Sequence, residues 1–371
     1  MAISDGVITE IGDLSGQAAT RTIDADGHLV SPGFVDVHTH MDAQLAWDPL
    51  GECSCFHGVT TAVMGNCGFT LAPVRSDARE LVVRNLERAE DIAAEAMAAG
   101  IDWSWETYPE YLDFVDRTPK GINYAGYVGH SALRTWAMGE RAFTDDATED
   151  DLALMTSQIE DSMRAGAVGF TTSISPNHET SDDRPVASRL STRHELDVLV
   201  SAMGRLGSAG RSGIFELAHH RDLRSRDPEK RESYISWLVD LAARTKVPIT
   251  YGMLAFGSED HHWRPVTDLL RRINEAGGTS WAQVHTRQFG VLLSFQTRLP
   301  FDNLPLWSEL RSQTLDEQRR ALTDPSLREK LIREADEGDY GRAIGAEARK
   351  PEWQWVYPLT SGLPPYRSIA E

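Results

Sequence analysis

The chain has 371 residues, 41% of them hydrophobic, with glycine spread throughout; this is enough for one large α/β domain or two average ones and is not the composition of a disordered chain. Aspartate and glutamate (56) outnumber lysine and arginine (37), and the net charge of -19 lacks the basic footprint of a non-specific nucleic-acid binder. Three cysteines are too few for a disulfide scaffold, the N-terminus does not read as a secretory signal, and no run reaches about 18 apolar residues, so a cytoplasmic protein without a membrane span is expected.

Residues 1–31 predict short strands joined by Asp-Gly turns, a partial β-sandwich segment ahead of a main domain over 32–371. The stretch SPGFVDVHTHMD at 31–42 packs Phe34, Val35 and Val37 into a compact apolar run, which predicts a buried strand with polar residues at its C-terminal end. The same logic recurs in GVTTAVMGNCGF at 58–69, which is followed by a helical region over 76–99. INYAGYVGHSALR at 122–134 holds a strand ending at Gly129 and His130. A helix over 149–165, a strand over 167–174, a helix over 191–207 and a strand over 213–222 come next. Helices over 230–245 and around 264–276 lead into strands at 247–254 and 279–290. Strands alternating with helices at this spacing predict a mostly parallel sheet. Six or seven such strands can be counted, against the eight of a closed (β/α)8 barrel. Residues 291–371, with a charged helical run at 315–349 and WQWVYPL from Trp353, do not supply the remainder, and the chain reads as incomplete at both ends.

The sharpest chemical feature is His38-Thr39-His40 at the end of the first buried strand. Residues i and i+2 of a strand point to the same side, so both imidazoles can face one metal ion, and imidazole nitrogen suits zinc. A bare H-x-H also arises as a plain polar rim; the flanking P-G-F-V-D-V and M-D favour the metal.

PGFVDVHTHMD resembles the first-strand signature of the amidohydrolase superfamily, and GVTTAVMGNCGF resembles a narrower mark, the strand-end cysteine of the N-acyl-D-amino-acid deacylases, or D-aminoacylases. GHSALR at 129–134 and AGAVGFTTS at 165–173 are similar to that family as well, and the resemblance covers nearly the whole chain, on a divergent branch. It implies a TIM-like (β/α)8 metal-dependent hydrolase barrel, lacking its last strand or strands here, with remnants of a small N-terminal β domain. It also implies one or two zinc ions held by His38, His40, Cys67 and His219, the last from the stretch Ala218-His219-His220-Arg221. Cys53 and Cys55 have no comparable motif and read as packing residues. Where the family carries its next histidine ligand, this chain has Gly252-Met253-Leu254-Ala255; a thioether is a weak zinc ligand, and His285 at the following strand end is an alternative.

The family's metal-binding, proton-handling aspartate has no S-D counterpart before Glu371, since Ser181-Asp182-Asp183 falls in a mid-chain loop, so no catalytic base is assigned. Asp42 reads either as a support for a ligand or as a loop cap. His130, Arg134 and Arg221 are the candidate substrate-binding residues, the arginines for a carboxylate and the histidine for a pocket wall. The resemblance implies hydrolysis of a C–N bond in a small acylated amine or cyclic amide. Two alternatives stand beside it: one subunit of a two-part, oligomeric hydrolase whose partner completes the barrel, and a non-catalytic relic of the fold.

Overall fold

The computed structural model describes residues 1–87, 92–207, 212–218, 222–253, 263–285, 290–341, 350–359 and 367–369. A short antiparallel hairpin, β1 (Ala2–Ser4) and β2 (Val7–Glu10), opens the chain. Seven strands then form one parallel sheet in chain order: β3 (Phe34–Asp36), β4 (Val59–Met64), β5 (Asn123–Gly129), β6 (Gly169–Ser173), β7 (Ile214–Ala218), β8 (Ile249–Gly252) and β9 (Ser280–Gln283). Parallel neighbours require crossovers, and helices supply them. These are α1 (Arg79–Glu87), α2 (Ala94–Gly100), α3 (Tyr108–Arg117), α4 (His130–Met138), α5 (Glu149–Ala165), α6 (Arg193–Leu206), α7 (Pro228–Thr245) and α8 (Trp263–Glu275). After β9 come α9 (Pro305–Arg311), α10 (Leu315–Ala321) and α11 (Pro325–Glu337), which hold a small core of their own around Leu304, Trp307 and Leu331.

The helices begin where the sequence can cap them. Thr107 and Thr148 each close a capping box at α3 and α5, and Thr192 and Asp227 accept backbone N–H groups at α6 and α7. The apolar faces of α4 to α8 cover the sheet, and the main core runs continuously from Leu45 to Ile273. Side-chain alternation on the central strands separates two environments. On β6, Phe170 and Thr172 face the helical layer, where Phe170 stacks on Phe215 of β7 and packs against His130 of α4. Thr171 and its register partner Glu216 face the other way, into the concave interior. The sheet curls far enough for its first and last strands to meet, because His38 beyond β3 hydrogen-bonds Gln283 of β9.

The seven strands fall where the sequence places them. Two details differ. The helical region expected over 76–99 contains α1 and α2, and the run expected over 315–349 is broken at Asp324-Pro325, where Asp324 caps α11. The strand of 31–42, expected to be buried, has Phe34, Val35 and Val37 each about half exposed (59%, 56% and 47%). Among the described residues its only strand partner is β4, and on its other side it meets β9 only through the His38–Gln283 hydrogen bond. Among the described residues no helix is long and apolar enough to cross a membrane.

Candidate metal centre

Beyond β3 the backbone still tracks β4. Thr39 donates its N–H to the Val63 carbonyl (3.0 Å) and its hydroxyl to the same oxygen (2.8 Å), which turns this side chain toward β4. By alternation His38 and His40 project together on the opposite side. Their rings lie edge to face at 5.4 Å, and their nitrogens converge with the Cys67 thiol so that one ligand atom from each residue lies within 4.8 Å of the others. His38 Nε2 is 3.3 Å from Cys67 Sγ. The opposite ring nitrogen, Nδ1, donates to Gln283 Oε1 at 2.6 Å. An amide oxygen can only accept, so this bond puts the ring proton on Nδ1 and leaves the Nε2 lone pair facing the thiol. Burial pushes the imidazole pKa of His38 down, and that of His40 far down, so both rings are neutral at pH 7.

Cys67 reaches this position through a tight turn at the end of β4. Gly65 and Gly68 have φ of 81° and 82°, and Cys67 itself has φ 57°, the left-handed region that a side-chain-bearing residue seldom adopts. Asp42, fully buried, accepts the Gly65 N–H (2.8 Å), and Asn66 donates to the Thr39 and Val63 carbonyls. Thr171 bonds both the Gly65 carbonyl and the Gly68 N–H. Glu216 Oε2 accepts the Cys67 N–H at 3.0 Å from across the interior. Burial raises the carboxyl of Asp42 to about 7 and that of Glu216 to about 8. Asp42 thus caps the turn through the Gly65 N–H, which is the loop-capping role of the two its sequence position allowed.

Two imidazoles and a thiolate form a donor set suited to zinc. In a tetrahedral site with bonds of about 2.0–2.3 Å, ligand atoms lie roughly 3.3–3.8 Å apart. The 3.3 Å His38–Cys67 separation falls in that range, so the residues fit the group. Among the described residues no carboxylate joins the cluster. His219 and Arg221, along with His220, His261 and His262, lie outside the described residues. Met253 packs against the core, whereas His285 is exposed and lies near enough to His38 to disfavour its charged form. Cys53 is exposed, so it does not have the packing role expected of it.

His130 and Arg134 require a correction. Both are fully buried, not lining an opening. His130 Nδ1 meets Thr172 Oγ1 (2.8 Å) and its Nε2 meets Glu195 Oε1 (2.7 Å). Arg134 pairs with Glu195 Oε2 and donates to the Asp145 carbonyl (2.8 Å). The guanidinium is thus committed to an interior ion pair between α4 and α6 and is not presented to a substrate carboxylate.

Three contributors to the centre escaped sequence reasoning. Glu216 was legible as an acid inside the apolar run IFELA, a placement that demands a reason. Gln283 had no signal, since its role depends on the curl of the sheet. His178, in the loop after β6, is tied to Ser173 Oγ (2.8 Å) and packs on Phe69 at 5.1 Å, and Phe69 also lies 6.3 Å from His40. It places a third imidazole near the cluster.

The amidohydrolase family model matches residues 21–253, well over half of the chain. The chain is 38% identical over 165 residues to the D-aminoacylase of Alcaligenes xylosoxydans xylosoxydans, covering 44% of this chain and 31% of the relative. It is 29% identical over 220 residues to the N-acyl-D-aspartate deacylase of the same organism, covering 59% and 40%. It is also 36% identical over 179 residues to an uncharacterised protein of Mycobacterium tuberculosis, covering 46% and 29%. Among solved structures it resembles a D-aminoacylase studied for its binuclear metal centre, with TM-score 0.57 and 24% identity over 76% of this chain and 52% of that one. A Bordetella bronchiseptica N-acyl-D-glutamate deacylase complexed with zinc and a phosphonate inhibitor matches with TM-score 0.57 and 23% identity, over 75% and 52%. The chain spans about a third of the length of the curated relatives and about half that of the solved structures.

Proposed function

The chain belongs to the amidohydrolase family, and from that premise we propose that it performs metal-dependent hydrolysis of the C–N bond of a small acylated amine, with N-acyl-D-amino acids as the first substrates to test. The observation that carries the reading is the convergence of His38, His40 and Cys67 at the C-terminal ends of neighbouring parallel strands. In this reading they hold zinc, one ion or two, with His219 as a further ligand. The bound metal would supply Lewis acidity to a carbonyl and acidify water. The protein's part is to keep both imidazoles neutral by burial, to orient His38 through Gln283, and to hold the thiol in its turn. Phe69 and His178 would wall the approach to His40 and exclude water from it.

A second reading assigns the same chemistry to a two-part hydrolase whose other polypeptide pairs with the open edge of β3. The exposed Phe34, Val35 and Val37 favour it, since a bare apolar edge invites pairing.

The test is metal content by elemental analysis, together with release of free amino acid from N-acyl-D-amino acids and of ring-opened product from cyclic amides. Wild-type protein is expected to carry close to stoichiometric zinc, and the H38A, H40A and C67A proteins to lose it. A folded wild-type chain that retains no metal after incubation with zinc would overturn the reading for this chain alone and leave the two-part hydrolase and the non-catalytic relic of the fold.

A further inference from the structure

Cys67 is held in the left-handed backbone region, which disfavours a non-glycine residue and persists only where the surroundings enforce it. The enforcing group comes from a distant strand. Glu216 sits at the centre of β7 with no solvent exposure, three strands away from β4 in the sheet order, and reaches across the concave interior to accept the Cys67 N–H at 3.0 Å. Thr171, its register partner on β6, secures two glycines of the same turn, Gly65 and Gly68. Among the described residues the second carboxyl oxygen of Glu216 takes no hydrogen bond.

A buried acid with a single hydrogen bond is a poor choice for stability. An apolar residue of similar volume would fill the same space without the desolvation cost of a carboxyl. Among the described residues its one hydrogen bond fixes the amide of the residue whose thiol faces His38. Its oxygens do not join the cluster of ligand atoms, so any effect on a metal passes through the Cys67 backbone.

We propose that Glu216 is a positioning residue for the metal centre: its carboxyl locks the Cys67 turn so that Sγ is presented to the site formed with His38 and His40. The inference rests on the metal reading of that cluster. It predicts that the acceptor at position 216, and not its charge, is what matters, since an amide oxygen of the same reach can take the same N–H.

The experiment compares wild type, E216Q and E216L in a C53S/C55S background, leaving Cys67 as the single thiol. Folding is checked by circular dichroism. Cobalt(II) is used as the probe, because a cobalt–thiolate bond gives a near-ultraviolet charge-transfer band. E216L is expected to bind cobalt about 10- to 100-fold more weakly and to lose intensity in that band, while E216Q stays close to wild type. In the metal-free proteins, alkylation of Cys67 by iodoacetamide is expected to accelerate in E216L and not in E216Q. A folded E216L with wild-type cobalt affinity, band and alkylation rate would overturn the proposal, and so would an E216Q as impaired as E216L. If E216L does not fold, E216D replaces it: the shortened side chain withdraws the acceptor at nearly unchanged polarity, and the same losses are expected. Absence of cobalt binding by wild type would instead defeat the metal reading, while the alkylation contrast would still decide the role of Glu216.

Discussion

Two histidine-centred clusters lie on opposite faces of the same sheet and differ in how their polar groups are committed. On the helical side, His130, Arg134 and Glu195 pair with one another: the glutamate takes one bond from each, other nitrogens reach Thr172 and the Asp145 carbonyl, and among the described residues only Arg134 Nε lacks a partner in this cluster. All three are sealed from solvent. On the concave side, His38, His40 and Cys67 converge with no carboxylate among the described residues to balance them, and their partners Gln283 and Glu216 approach from behind. A cluster that closes on itself stabilises the fold, whereas one whose donors converge on a shared point is built to receive a ligand. Residue type does not separate the two, since each contains histidine; what separates them is the direction each lone pair faces.

The largest effect expected from breaking this contrast is on the concave side. C67A should abolish stoichiometric metal, a loss of affinity beyond the roughly 100-fold that removal of a supporting group causes, while the unfolding midpoint of the metal-free protein barely moves. Equilibrium dialysis with zinc and denaturant unfolding of the apo protein measure the two quantities. A C67A protein that keeps its metal would place the binding site elsewhere.

Next in size is the reverse experiment. E195A strands a buried imidazole and a buried guanidinium together and should destabilise the protein by about 3–5 kcal/mol. Metal affinity of the surviving folded fraction should be unchanged, because no member of this cluster touches the other. Urea unfolding measured in parallel with zinc titration checks both halves. A large drop in affinity at unchanged stability would mean that the two clusters are coupled through the sheet.

The contrast also explains what the sequence could disclose. Strand positions, the crossover helices and the His38-x-His40 pair were legible because they depend on local periodicity and on the alternation of a strand, both short-range properties. Cys67 was legible through its motif. Arg134 misled, because an arginine four residues after His130 looks the same whether its guanidinium faces a pocket or Glu195, which lies 61 positions further on and is brought to it by the packing of α4 against the sheet and α6. Gln283 was invisible for a similar reason: its partner His38 is 245 positions away, and only the curl of the sheet joins them. The exposure of β3 was misjudged because a compact apolar run looks the same in a central strand and an edge strand.

The smallest effect is the one that tests the closed cluster by titration alone. Burial holds the His130 imidazole below its ordinary 6.5 in spite of Glu195, so the unfolded chain takes up this proton at higher pH than the fold does. Burial also works to raise the Glu195 carboxyl, but the hydrogen bond from His130 and the charge of Arg134 outweigh it and hold the pKa below the usual 4.5. Both folded values are depressed, and the sign is the same for each: the unfolded chain binds more protons, so the stability is fully present above the unfolded pKa and is lost as pH falls through it. His130 therefore contributes a decline beginning near 6.5, and Glu195 a second one beginning near 4.5. For a single proton the slope in the first window reaches at most about 1.4 kcal/mol per pH unit. His38 and His40 are depressed in the same direction and add to the wild-type curve, which is why the informative quantity is a difference between proteins. H130Q should flatten the curve as pH falls below about 6.5 by up to one proton's slope while leaving the carboxylate step in place. Urea unfolding of apo wild type and H130Q at half-unit intervals of pH measures that difference. Superimposable slopes in this window would mean that His130 is already protonated in the fold, making the closed cluster a charged triad instead of a neutral imidazole beside an arginine–glutamate pair.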